Sequence, residues 1–257
     1  MAAAHQAGRR TGVVTSVPLN HATPAAFYAH VDGRGQYDEI ARQLATSGID
    51  FFGGGRPILS MDFSEAAWWR LLAENGYTVH ISVSAANVAR KSPEGKRLAC
   101  HDWDYCAIDR AASGMTVRPD LADYTRTAIG ELDNANGFVL MVEGGRIDYA
   151  AHRNDGVAML AEMREFNAAI DTALEFYRRH PEETIVVVTA DHNTGGLHFT
   201  GPVPPGYGKT EARVSAERLI RELNKTDMTQ WENVLGVLGK SGVSFSPEAL
   251  KAAQAAF

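Results

Sequence analysis

Two carboxylate and histidine pairs stand at the ends of what read as two buried strands. In VEGGRIDYAAH, Glu143 closes the apolar run Phe138 to Val142, Gly144 and Gly145 break the strand, and Asp148 and His152 follow at i,i+4 spacing. On a helix that spacing puts both side chains on one face. In TADHNTGG, Asp191 and His192 end the run Ile185 to Val188. Carboxylate oxygen and imidazole nitrogen are ligands that zinc takes at catalytic sites, and a lone carboxylate such as Glu143 suits a hard ion such as magnesium. Two such sites close together suit phosphoryl transfer. The plainer alternative makes Asp148 and His152 a surface pair and Asp191 a helix cap. Either pair alone favours that alternative, but two pairs at two strand ends, flanked by glycines, argue against coincidence.

The elements that must position these residues alternate. Short apolar or β-branched runs, Thr11 to Ser16, Ile49 to Phe52, Thr78 to Ser82, Phe138 to Val142 and Ile185 to Thr189, read as strands buried on both faces. Amphipathic stretches fill the gaps, the pattern of an α/β fold: a mostly parallel sheet flanked by helices on both faces. The strongest helix spans about Asp155 to Arg178, where Met159, Met163, Phe166, Ile170, Ala173 and Tyr177 form one stripe that reads as core. A second runs from Ser64, its N-cap, to Asn75, with Gly76 as its stop, and carries Trp68 and Trp69 as core or subdomain contacts. The segment Gly201 to Tyr207 is rich in Pro and Gly. Polar helical stretches at about Thr210 to Asn224 and Ser246 to Ala256 make residues 201–257 a peripheral helical cap on a single domain. In such a sheet ligands bind outside the carboxyl ends of the strands, where the candidate ligands lie.

Composition sets bounds. With 257 residues, 45% of them hydrophobic, the chain can bury one substantial core. A net charge of −6 without a long Lys or Arg run gives no support to a nucleic-acid or membrane-surface partner. No apolar stretch reaches the length of a membrane span, and MAAAHQAGRR lacks the pattern of an export signal. Cys100 and Cys106 could close a small disulfide loop or remain two buried thiols.

The segments GVVTSVPLNHATPAAFYAHV, FFGGGRP, GFVLMVEGGRIDYAAH and IVVVTADHNTGG, between about Arg10 and Gly196, resemble successive motifs of the alkaline phosphatase family. The resemblance implies an α/β sandwich that hydrolyses small phosphate monoesters with two zinc ions and one magnesium ion through a phosphoserine. Carried over by position, Asp148 and His152 match ligands of the first zinc, Asp191 and His192 ligands of the second, and Thr23 and Glu143 ligands of magnesium. Arg34 matches the arginine that grips two phosphate oxygens, a task its planar fork suits. His21 matches a position near the magnesium, acting through a water. The family also implies a periplasmic or extracellular location and admits a homodimer. His30, His80, His101, His180 and His198 have no motif support as ligands.

Three of the family's parts have no counterpart among the matched positions: an aspartate ligand on the first strand, the serine that opens the next helix, and a further zinc histidine in an HTG-like motif. Ser16, Thr189 and Thr194 are available hydroxyls, yet none matches the serine's place, so no nucleophile is assigned. The expectation is a sandwich lacking the first strand and the C-terminal part, with an uncovered sheet edge, loosely held zinc and crippled turnover. The alternatives are a non-catalytic metal-binding or phosphate-binding remnant and a phosphodiesterase, mutase or sulfatase of the same superfamily; the full VEGGRID segment argues against the latter.

Overall fold

The computed structural model describes residues 1–81, 95–101, 107, 109, 119–196, 214–241 and 246–255. Its elements run α1 (Ala2–Gln6), β1 (Arg10–Pro18), α2 (Ala22–Ala25), α3 (Tyr37–Thr46), β2 (Phe51–Gly55), α4 (Glu65–Glu74), β3 (Tyr77–Ile81), β4 (Lys96–His101), α5 (Leu121–Leu132), β5 (Phe138–Glu143), α6 (Arg146–His152), α7 (Gly156–Arg179), α8 (Ala216–Asn224), α9 (Trp231–Lys240) and α10 (Pro247–Ala255). They fall into two compact units. The first comprises Met1–Asp104, Val117–Gly145 and Arg164–Thr189; the second comprises Tyr105–Thr116, Arg146–Met163 and Ala190–Phe257.

The first unit is built on a five-stranded sheet of order β3-β4-β2-β1-β5, and every pairing in it is parallel. Successive side chains of a strand point to opposite faces, and β1 and β2 use that alternation to feed two cores. Val13 and Phe52 pack with Leu44, Trp68 and Leu72 of α3 and α4. Val14 and Phe51 pack with Leu121, Tyr124, Ala128 and Leu132 of α5 and with Ala169 of α7. Helices therefore cover both faces, as the alternating sequence pattern requires. The Ser64 hydroxyl caps α4, accepting from the Ala67 amide at 3.3 Å, and Gly76 follows the helix at φ +81°. Trp68 is wholly buried, its indole N–H donating to the Ala41 carbonyl at 3.0 Å, so it belongs to the core.

Three expectations need correction. The run Ile185 to Thr189 forms no strand: Ile185, Val187 and Val188 are 89%, 79% and 56% exposed, because no described segment pairs with them. Nor is β5 buried on both faces. Among the described residues it is an edge strand paired only with β1, and Val139 is exposed. β5 and residues 185–188 face an open groove of about 1010 Å³, floored by Phe166, Ala169, Ile170 and Phe176 of α7. The third concerns α7, whose stripe is rotated from the expected one: Ala158, Glu162, Ala169, Thr172 and Phe176 are buried, while Met163 and Tyr177 are exposed.

The strand β4 escaped the sequence reading because KRLACH lacks a continuous apolar run; it inserts between β3 and β2. In the second unit α8 and α10 match the expected polar helices, and α9 lies between them. Gly201 to Tyr207, His198, Ser82, Cys106 and the side chains of Cys100 and His101 lie outside the described residues.

Candidate metal centre

Within the first unit, the parallel register sets Thr15 of β1 opposite Glu143 of β5. The Thr15 hydroxyl donates to Glu143 Oε2 at 2.5 Å and accepts from the Val17 amide at 3.1 Å, so one carboxylate oxygen is fixed from a wholly buried residue. Glu143 Oε1 lies where a side chain on Gly145 would approach to 2.8 Å; the glycine leaves room for the carboxylate. Thr23 belongs to α2, which follows the carboxyl end of β1 and packs against both β1 and β5. His21 precedes that helix, and Arg34 Nη2 lies 3.2 Å from His21 Nε2. A guanidinium only donates, so Nε2 accepts and the proton of a neutral His21 resides on Nδ1. The Arg34 loop is exposed to solvent.

Within the second unit, α6 begins directly after the glycine pair. Asp148 is in its first turn and His152 is its last residue, placements that the helix dipole favours for an anion and an imidazolium respectively. The i,i+4 spacing brings Asp148 Oδ2 to 3.6 Å from His152 Nε2. Asp191 Oδ2 and His192 Nε2 are 3.5 Å apart. Neither separation is a good hydrogen bond. Two donors each about 2.0–2.2 Å from one tetrahedral zinc, however, lie roughly 3.4 Å apart, so each pair spans the edge of such a site. Both pairs are open to solvent, with His152 and Asp191 each 65% exposed. Among the described residues no three His, Cys, Asp or Glu side chains gather at one point. The donor types and the separation within each pair suit a metal ion.

The loop that carries Asp191 and His192 rests on the end of α6. Gly195 has φ +65°, and a side chain there would come within 2.1 Å of the Ala151 carbonyl oxygen, so only glycine lets the loop approach. That approach puts the Thr194 hydroxyl 2.6 Å from Asp148 Oδ1 and 3.1 Å from His192 Nδ1. One residue thus touches both pairs. Thr15 and Thr194 are the participants that motif reading missed. The register of β1 against β5 could have pointed to the first; nothing but the folded loop points to the second. Of the available hydroxyls, Ser16 is 2% exposed, which closes it to a substrate.

The alkaline phosphatase family profile matches residues 1–52 and 101–234. Alkaline phosphatase 4 of Bacillus subtilis is 35% identical over 209 residues, covering 76% of this chain and 42% of that protein. The chain thus spans about two-fifths of the length of that relative. Among solved structures, Thermus thermophilus alkaline phosphatase aligns with a TM-score of 0.79 at 28% identity, over 97% of this chain and 54% of the other. A TAB5 alkaline phosphatase variant with Mg bound aligns with a TM-score of 0.63 at 31% identity, over 75% of this chain and 55% of the other.

Proposed function

The chain belongs to the alkaline phosphatase family, and from that premise we propose that its site hydrolyses phosphate monoesters with the help of two zinc ions and one magnesium ion. The observation that carries the reading is the pair of carboxylate to imidazole separations, 3.6 and 3.5 Å, tied together by Thr194. Asp148 with His152 holds one zinc, Asp191 with His192 the other, and Glu143 with Thr23 the magnesium. Magnesium in the related TAB5 variant supports the third assignment. When bound, these ions supply Lewis acidity and neutralise charge on the transferring phosphoryl group.

The remaining work falls to the chain's own side chains. Arg34 donates its two-pronged guanidinium to two phosphate oxygens, which orients the ester and offsets developing charge. His21 holds one prong of that fork through Nε2. Thr15 holds one oxygen of Glu143 and so orients the carboxylate. The exposed side chains of both Asp and His pairs are open to a small substrate.

No residue of this chain is assigned as nucleophile, and among the described residues each zinc pair offers two protein donors where catalytic zinc ordinarily has three. Turnover by these 257 residues alone is therefore expected to be orders of magnitude below that of the double displacement. The same ligand count favours a second reading, a site that holds metal and phosphate without turnover. The relatives described above, named as phosphatases, lend nothing to a diesterase, mutase or sulfatase.

The test is release of a coloured phenol from an aryl phosphate at alkaline pH, with zinc and magnesium added, for the unaltered chain, Asp191→Ala and Arg34→Ala. Slow, chelator-sensitive hydrolysis that both substitutions lower supports the proposal. Metal and phosphate binding with no hydrolysis supports the second reading. Hydrolysis indifferent to chelator and to both substitutions overturns the assigned site. Robust turnover abolished by Asp191→Ala reveals an unassigned nucleophile and overturns the expected weakness.

A further inference from the structure

The hydroxyl of Thr194 carries a single proton. It donates that proton to Asp148 Oδ1 at 2.6 Å, so toward His192 Nδ1, 3.1 Å away, its oxygen can only accept. The other neighbour of Nδ1 is the Asn193 carbonyl oxygen at 3.0 Å, which also only accepts. Both contacts put the imidazole proton on Nδ1. In the neutral imidazole, the form that binds a metal, the lone pair is then on Nε2, the atom that faces Asp191 Oδ2. The same hydroxyl occupies Oδ1 of Asp148 and leaves Oδ2, the atom that faces His152 Nε2.

We propose that Thr194 is a positioning residue for both zinc pairs: one hydroxyl selects the ligand oxygen of Asp148 and the ligand nitrogen of His192, and couples the two pairs. The inference rests on the zinc reading given above and goes beyond it by naming what orients the ligands. A hydrogen-bond partner of this kind fixes a histidine's tautomer and a carboxylate's rotation before the metal arrives, so less ordering is left for the metal to impose. Gly195 lets the loop lie against the Ala151 carbonyl near the end of α6, from where Thr194 reaches Asp148 in the first turn.

Thr194→Val removes the hydroxyl and keeps the shape, whereas Thr194→Ser keeps the hydroxyl and loses a methyl group. Zinc alone is titrated against a chromophoric chelator with the full chain in four forms: unaltered, Thr194→Val, Thr194→Ser and His152→Ala. Thermal melting without metal confirms that each form folds. The expected result is zinc affinity about 10-fold to 100-fold weaker in Thr194→Val and close to the unaltered value in Thr194→Ser. Unchanged affinity in Thr194→Val, or an equal loss in Thr194→Ser, overturns the role of the hydroxyl while the zinc reading stands. Zinc held equally well by His152→Ala, or not held by the unaltered chain, overturns the zinc reading itself.

Discussion

Strand β1 and residues 185–188 look alike in the sequence, each a short β-branched run leading to candidate ligands, yet they fare differently. β1 is paired on both sides, and Val13 and Val14 are wholly buried. Residues 185–188 have no strand partner among the described residues, and Ile185 is 89% exposed. An apolar run therefore states a capacity to pair, and whether it becomes a strand depends on a neighbour that offers a backbone edge and a covered face. β5 shows the intermediate case, with β1 on one side and an open groove on the other.

Several substitutions test this contrast. The largest effect is expected in the paired interior. Phe52 is wholly buried and makes an edge-to-face contact with Tyr28 at 5.3 Å, so Phe52→Ala should cost about 3–5 kcal/mol in urea unfolding. A loss below about 1 kcal/mol would show that the interior collapses around the gap and is no tighter than the edge. At the open run, Ile185→Asp and Val187→Asp should each change stability by less than about 0.5 kcal/mol, while lowering self-association in sedimentation at high concentration, since an uncovered apolar edge invites pairing. Losses of several kcal/mol there would mean that the run is buried after all.

The smallest effect concerns β3, the opposite edge of the sheet. Burial, and next to it the Arg97 charge, lowers the His80 pKa below its ordinary 6.5, with Glu131 opposing. The unfolded chain therefore takes up the proton more readily. His80 costs nothing well above pH 6.5, and the folded state loses stability as pH falls through that value. Stability measured from pH 7.5 to pH 5 should fall less steeply in His80→Gln than in the unaltered chain. An unchanged slope would remove His80 as a source of acid sensitivity.

The legible parts of the molecule were those in which local pattern and tertiary need coincide. Thr11 to Ser16 and Phe138 to Val142 are close to the observed β1 and β5, and the Ser64 cap and Gly76 stop are where their chemistry demands. The failures were cases in which a neighbour decides. β4 mixes Lys, Arg and His with few apolar residues and is a strand because β2 and β3 flank it. The face of α7 was misjudged because its buried side includes Glu162 and Thr172, polar groups that a hydrophobic stripe omits. At the site, i,i+4 spacing was enough to pair Asp148 with His152. The tie through Thr194 depends on a loop conformation that only Gly195 permits, and spacing alone carries no sign of it.

The central claim is that the two Asp and His pairs hold zinc. Its most direct test is the zinc retained per chain after dialysis against a fixed low free-zinc concentration, for the unaltered chain and for a His152→Ala, His192→Ala double substitution. With two protein donors in each pair, we predict partial retention by the unaltered chain, short of two zinc ions per chain, and none by the double substitution. Equal retention by both forms would contradict the claim.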